Sequence, residues 1–336
     1  MSSDGRHLAS VSVDGTVKIW NSITGQCVKT LEGHTYQITS VVFFSARKQL
    51  ASASGDKTIK IWNVTTGHCL QTLTGHTGTV YAVTLSGDDR QLASASGDGT
   101  VKIWDSITGQ CIKTLSGHTV RIYSVVFSAD GTQLASASYD ETIKIWDPST
   151  GHTDWMNSIA FTSNMHGIVL SVVFSSDSTQ LASASNDKTV KVWDVATGQC
   201  LQTLQVHGRS VLPVAFSNNS AQLALVSSGM VEIWDWSTGR CLRTLQLGPY
   251  IYLHLGQISF SETDLQLYTA IGAIDLRPGT GARSQPGADA VEAAVLLRLW
   301  NQSRQRLDHT RLGERAVVAA GVPADVLGRE RFQAGP

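Results

Sequence analysis

Histidine, serine, aspartate and tryptophan return in one order along this chain: His34, Ser54, Asp56 and Trp62, then His76, Ser96, Asp98 and Trp104, then His118, Ser138, Asp140 and Trp146. Ser, His and Asp are the residue types of a nucleophilic site, where the histidine takes the serine proton and the acid orients the histidine. A reaction needs one such site, yet these sets recur at 42-residue intervals. Repetition of that kind suits a buried polar network satisfied once per structural unit.

Other chemistry is poorly supported. The ten histidines include no His-x-x-x-His pair, the five cysteines include no Cys-x-x-Cys, and no metal site is expected. Glycine turns such as SGDGT lack the P-loop lysine and open no helix, so no phosphate cradle and no cofactor are expected. Lys18, Lys60, Lys102, Lys144 and Lys191 share one phase. Their stems are expected to pack on neighbouring units with the ammonium heads reaching water.

The elements that must position these residues follow from the repeat. Trp20, Trp62, Trp104 and Trp146 lie 42 residues apart, followed by steps of 47 to Trp193 and 41 to Trp234, and residues 8–35 match residues 92–119 at 23 of 28 positions. Runs such as LASAS, TIKIW and CLQTL are short and β-rich, and turn clusters such as GDK and TGHTG separate them. Four short strands per unit, repeated, predict an all-β chain folded as a β-propeller. With strands lettered a to d outward from the channel, six clear units and a degraded seventh (GQISFSETDLQLYTAIGAIDL) give seven blades over residues 1–276, incomplete in the first and last. The first blade lacks strand a, because Met1 falls at the phase of Phe127. After Trp146 the usual Gly-Gln-Cys run is absent, and 153–161 is expected to serve as strand d of blade 4. Residues 277–336 hold nine Arg, ten Ala and no Lys, without the repeat. They are expected to be an irregular, disordered tail or the product of a shifted reading frame.

The units resemble WD repeats. Gly33-His34, Gly75-His76 and Gly117-His118 supply the Gly-His pair, and Trp104-Asp105, Trp146-Asp147, Trp193-Asp194 and Trp234-Asp235 supply the closing Trp-Asp, with Trp20-Asn21 and Trp62-Asn63 as departures. The T-G-x-C-x-x-T-L-x-G-H-T wording is similar to the WD arrays of fungal NACHT-type, vegetative-incompatibility-like proteins. The resemblance implies that each turn aspartate orients His, Ser and Trp in a structural tetrad. It also implies a non-enzymatic scaffold, a partial immunity-type sensor. WD-repeat mitochondrial-division adaptors are the alternative, and an enzyme on a propeller is disfavoured because no acid–base residues converge on the channel. Blade 5 has Met165 at the histidine phase, and blade 6 lacks the turn aspartate between Ser227 and Gly229.

What varies between near-identical units lies in the d–a loop, the start of strand a and the residue before each turn aspartate. Tyr36, Gln37, Thr39, Tyr81, Arg121, Tyr123, Arg209, Tyr139 and Asn186 occupy these positions. Both sets reach the top face of a propeller, where Tyr and Arg suit recognition of a protein or peptide. Lys plus Arg (26) nearly balances Asp plus Glu (27), which argues against nucleic acid as a partner. No apolar run reaches the ~20 residues of a membrane span. Cys27, Cys69, Cys111, Cys200 and Cys241 each follow a tryptophan by seven residues. That shared phase spreads them over separate units, so reduced, buried thiols and a cytoplasmic location are expected.

Overall fold

The computed structural model describes residues 2, 4–151, 153–160, 168–207, 211–227, 230–246, 258–260, 266–269 and 272–276. Among them the only regular elements are antiparallel strands. Unit 1 has three, His7–Val11, Val17–Asn21 and Cys27–Leu31, corresponding to strands b, c and d. Unit 2 has four: Ile38–Phe43, Gln49–Ser54, Ile59–Asn63 and Cys69–Leu73, each hydrogen-bonded to the next. Units 3 to 6 repeat that order, and unit 7 comprises Ser259–Phe260, Gln266–Thr269 and Gly272–Asp275. The outer strand of unit 4 is Thr153–Ala160, paired with strand c from Thr142↔Ala160 to Trp146↔Thr153. The tail from 277, Met165 and Arg209 lie outside the described residues.

Burial runs from inside to outside as the residue types dictate. Strand b, QLASAS in units 2, 3 and 5, is almost wholly buried on both faces. Alanine and serine there let flanking sheets approach closely. Strand c alternates buried aliphatics with half-buried lysines, and strand d exposes its first, second and fourth residues to solvent. Each core is shared by two units. Ile59, Ile61 and Leu73 of unit 2 pack against Val80, Val83, Leu92 and Trp104 of unit 3. Trp62, Trp146, Trp193 and Trp234 seat in the same way against the preceding unit.

Two bulges recur. Between strands c and d the register slips beside the tryptophan, so that Ile61 faces Gln71 but Trp62 faces Cys69. The extra residue, Leu70, is thrown outward, as are Val28, Ile112, Leu201 and Leu242 in their units. Between strands a and b the slip leaves Thr39, Tyr81, Tyr123 and Leu170 without a cross-strand partner. Bulges re-aim a side chain out of the ladder.

The expected burial of the cysteines is corrected. Cys27, Cys69, Cys111 and Cys200 are exposed, Cys241 is half-buried, and all five are free thiols. Their shared phase separates them, but it does not say which way they face. Each opens outer strand d except Cys241, the second residue of its strand, and each thiol lies against the carbonyl two residues on.

Candidate functional site

In unit 2 the b–c turn places Asp56 beside the d–a loop that carries His34. Asp56 accepts from the backbone and hydroxyl of Thr58 through Oδ1, at 2.9 and 2.7 Å. Its Oδ2 takes the Thr35 N–H at 3.0 Å and lies 2.7 Å from His34 Nδ1. His34 Nε2 lies 2.8 Å from Ser52 Oγ, which also receives the Trp62 indole N–H at 2.8 Å. Units 3 and 4 reproduce the set with His76, Asp98, Ser94 and Trp104 and with His118, Asp140, Ser136 and Trp146. The glycine before each histidine has a packing reason. Gly33 and Gly75 sit at φ +145°, and a Cβ there would meet the edge of Trp62 or Trp104 at 3.3–3.4 Å.

The serine assignment is corrected. Ser54, Ser96 and Ser138 are not bonded to histidine or tryptophan. Their hydroxyls donate to d–a loop carbonyls and accept the N–H of Asp56, Asp98 and Asp140. The reason is register: Ser52 lies opposite Lys60, which makes Trp62 its diagonal neighbour, whereas Ser54 lies at the turn. The signal was present in the sequence as the ten-residue step from Ser52 to Trp62.

The polarity of this network is that of a nucleophilic triad. The indole donates to serine, the serine hydrogen is left for His Nε2, and His Nδ1–H points to the carboxylate. Burial pushes His34 and His76 below the ordinary imidazole range, against the pull of Asp56 and Asp98. Burial acts to raise Asp98, but bonds from Thr100, the Thr77 N–H and His76 overrule it and hold it at about 2. The arrangement cannot act on a substrate, because Ser52, Ser94 and Ser136 are fully buried and the indole occupies their acceptor side.

Unit 6 solves the same problem with residues that sequence reasoning missed. Leu225 stands at the phase of Ser52, and Glu232 at the phase of Lys60. The buried Glu232 carboxylate accepts the Trp234 indole N–H at 2.9 Å and lies 2.9 Å from His207 Nδ1. His207 stacks on Trp234 with ring centres 6.2 Å apart and planes at 24°. The signal was a paired change, serine to leucine on strand b and lysine to glutamate on strand c. In units 1 and 5 the Trp20–Ser10 and Trp193–Ser183 bonds are each 2.8 Å, and the turn aspartates Asp14 and Asp187 accept from Thr16 and Thr189. In units 2 and 3, Lys60 and Lys102 donate to Thr72 and Thr114 of strand d at 2.9 and 2.8 Å.

The variable positions meet through the backbone. The N–H of Gly55, Tyr139 and Asn186, one residue ahead of each turn aspartate, donates to the carbonyl of Gln37, Arg121 and Ile168 at 2.9, 2.9 and 3.1 Å. Tyr36 lies over Gly55, where a Cβ would come within 2.4 Å of its ring, and Tyr81 lies over Gly97. The bulge residues Tyr81 and Tyr123 touch at 5.0 Å between ring centres, and Tyr123 and Tyr139 at 6.4 Å. Burial pushes the Tyr123 phenol up, opposed by its hydrogen bond with Arg121. Tyr36 and Tyr139 remain exposed. Thr39, at the same phase as the two bulge tyrosines, is instead buried and donates to the Val80 and Ala53 carbonyls. Among the described residues no group of three or more His, Cys, Asp or Glu is placed to hold a metal ion, and no helix is long and apolar enough to cross a membrane.

Comparison with known proteins agrees with this geometry. The family model "WD domain, G-beta repeat" matches residues 1–21, 25–63, 67–105, 109–147 and 163–194. Nuclear distribution protein PAC1-2 of Uncinocarpus reesii is 54% identical over 39 residues, which is 12% of this chain and 8% of that protein. The match is about one repeat long, so the chain spans a small part of that relative.

Proposed function

The chain belongs to the WD-repeat family, and from that premise we propose that it is a seven-bladed propeller that binds a protein or peptide on its top face. Repeats of this family make protein-interaction scaffolds. The observation that carries the top-face reading is the contiguous cluster of Tyr81, Tyr123 and Tyr139 with Arg121 bonded to Tyr123. Rigid aromatic area with a polar edge and a guanidinium is the composition of a binding hot spot. Tyr36, Gln37 and Asn186 extend the surface in this reading. A sensor role like that of the fungal NACHT-type arrays is the finer proposal, carried by the T-G-x-C-x-x-T-L-x-G-H-T wording. Binding without catalysis in the cytoplasm completes it.

The test is capture of partners from native lysate by wild type, Arg121→Ala/Tyr123→Ala and Asp88→Ala. The rim variant is expected to lose at least tenfold of its specific partners at an unchanged thermal midpoint, and Asp88→Ala none. Asp88 is the right control because its neighbour Asp89 is buried and accepts the Ala46 N–H at 2.7 Å and Arg47 through its carbonyl. Equal partner lists for wild type and rim variant would overturn the proposal.

A further inference from the structure

The b–c turns of units 2, 3 and 4 have no main-chain donor left for a partner. Each turn carries four N–H groups, and all four are consumed inside the unit. In unit 4 the Tyr139 N–H goes to the Arg121 carbonyl at 2.9 Å and the Asp140 N–H to Ser138 Oγ at 3.1 Å. The Glu141 N–H goes to the Ser138 carbonyl at 3.3 Å and the Thr142 N–H to Asp140 Oδ1 at 3.0 Å. Units 2 and 3 repeat the set from Gly55 to Thr58 and from Gly97 to Thr100. The turn carboxylates are taken as well. Asp140 accepts the N–H and hydroxyl of Thr142 on Oδ1, and its Oδ2 meets the Thr119 N–H and His118. A strand or an anion that needs backbone N–H groups finds none on these turns.

What the rim offers is therefore side chain. Tyr81 and Tyr123 meet at 5.0 Å between ring centres with their planes at 56°, and Tyr123 and Tyr139 at 6.4 Å and 57°. Neighbouring rings inclined in this way form V-shaped notches rather than a flat floor. Tyr81 is seated against Gly97, where a Cβ would come within 3.3 Å of its ring, so the platform is set before a ligand arrives. A guanidinium can only donate. Arg121 thus gives a hydrogen to the Tyr123 phenol oxygen, and the phenol keeps its own hydrogen for an acceptor. The polar edge of the cluster is rich in donors. The charge of Arg121 also opposes a second cation between the rings.

A polyproline II segment has the opposite character. Its prolines carry no N–H, its carbonyls have no internal partner, and its apolar rings are held rigid before binding. We propose that the notches of Tyr81, Tyr123 and Tyr139 take an extended proline-rich segment of a partner protein in this conformation. Pyrrolidine rings enter between the phenol rings, and the segment's carbonyls accept from the phenols and from Arg121. The complementarity is one of partial charge, with donors on the rim facing a backbone that can only accept. This assignment rests on the top-face reading and names the class of partner for it.

The experiment titrates the 336-residue chain into a fluorescein-labelled decaproline peptide, followed by anisotropy. Saturable binding is expected, at least tenfold tighter than that of a labelled Gly-Ser peptide of equal length. It should change little as salt is raised from about 0.05 to 0.5 M, because no pair of full charges is formed. Tyr123→Ala is expected to weaken binding tenfold or more at an unchanged thermal midpoint. Tyr123→Phe keeps the ring and loses the phenol, and is expected to weaken binding about threefold. It carries the test if the alanine variant melts lower. Asp88→Ala should bind as wild type. Absence of saturable decaproline binding, equal binding of the Gly-Ser peptide, or undiminished binding by the Tyr123 variants would each overturn the proposal. So would a preference for a glutamate-rich or a trimethyl-lysine peptide over decaproline. The top-face reading falls separately, when wild type and Arg121→Ala/Tyr123→Ala capture the same lysate partners. Loss of those partners beside a silent decaproline keeps the face and rejects the proline-rich segment.

Discussion

Unit 3 and unit 6 present the same tryptophan to the same kind of interface and satisfy it with different chemistry. Trp104 donates to Ser94, which leads on to His76 and Asp98, whereas Trp234 donates directly to Glu232, which also meets His207. Units 1 and 5 keep the tryptophan–serine bond and the turn aspartate with its threonine. A partner for the indole N–H is therefore common to units 1 to 6, and the histidine–aspartate pair is a variable addition. The physical reason is an asymmetry of burial. An indole seated between two sheets has no water available, and an unmet donor there costs about 1–3 kcal/mol. The histidine lies nearer the loop, and in unit 6 it meets Glu232 in place of a turn aspartate.

The largest effect that would sharpen this comparison is at the tryptophan itself. Trp104→Ala is expected to destabilise by about 3–5 kcal/mol, because it opens a cavity between units 2 and 3 and strands Ser94. A urea midpoint equal to wild type would break the assignment. Ser94→Ala should follow at about 1–3 kcal/mol, since it leaves the indole donor and His76 Nε2 unpaired in a dry site. Ser96→Ala should cost about 1 kcal/mol, the worth of one hydroxyl–carbonyl bond. An inverted order would return the network to the serine nearer the turn.

A smaller effect tests whether unit 6 is a true alternative. Glu232→Lys alone removes the indole acceptor, and Leu225→Ser alone opens a small void. Together they rebuild the pair seen in the other units. The double variant is expected to be more stable than the sum of the singles by about 1 kcal/mol, measured in a urea double-mutant cycle. Strict additivity would show that Leu225 and Glu232 are unrelated.

The most graded effect is on pH. His34 and His76 are held below their ordinary value of 6.5, so the unfolded chain takes up protons that the folded chain refuses. Their stabilisation is full above pH 6.5 and is lost as pH falls below it, by up to about 1.4 kcal/mol per pH unit for each histidine. A second loss begins below 3.8, where Asp98, held at about 2, resists protonation in the fold. Urea midpoints across pH 4–8 should show the upper limb shrink in His34→Gln/His76→Gln. An unaltered limb would move its origin to other groups.

Much of this was legible before the structure, and the failures were local. The 42-residue period marked strands, turns and the outer strand of unit 4, because hydrophobic spacing and turn chemistry act along the chain. The choice between Ser52 and Ser54 was not legible from period alone, since both alternate in phase and only cross-strand register separates them. The facing of the cysteines failed for the related reason that a repeat phase carries no direction. Tyr81 and Tyr123 were marked by their variation, but their meeting depends on a bulge that frees both from the ladder. Glu232 escaped notice because its role rests on a compensating change seven residues away on another strand.

The strands that make the molecule so regular also deprive it of addresses. QLASAS at 49–54, 91–96 and 180–185 is the same word three times, and its neighbours on strand c differ by a methyl group or less at most positions. During folding each copy can pair with the strand c of another unit at almost native energy, and only the short connecting loops favour the neighbour. Such degeneracy is a source of kinetic traps and of exchanged strands between chains. Unit 6, with Glu232 facing Leu225 across the ladder, cannot be mistaken for the others. Its strand pair therefore lacks the degeneracy of the QLASAS units.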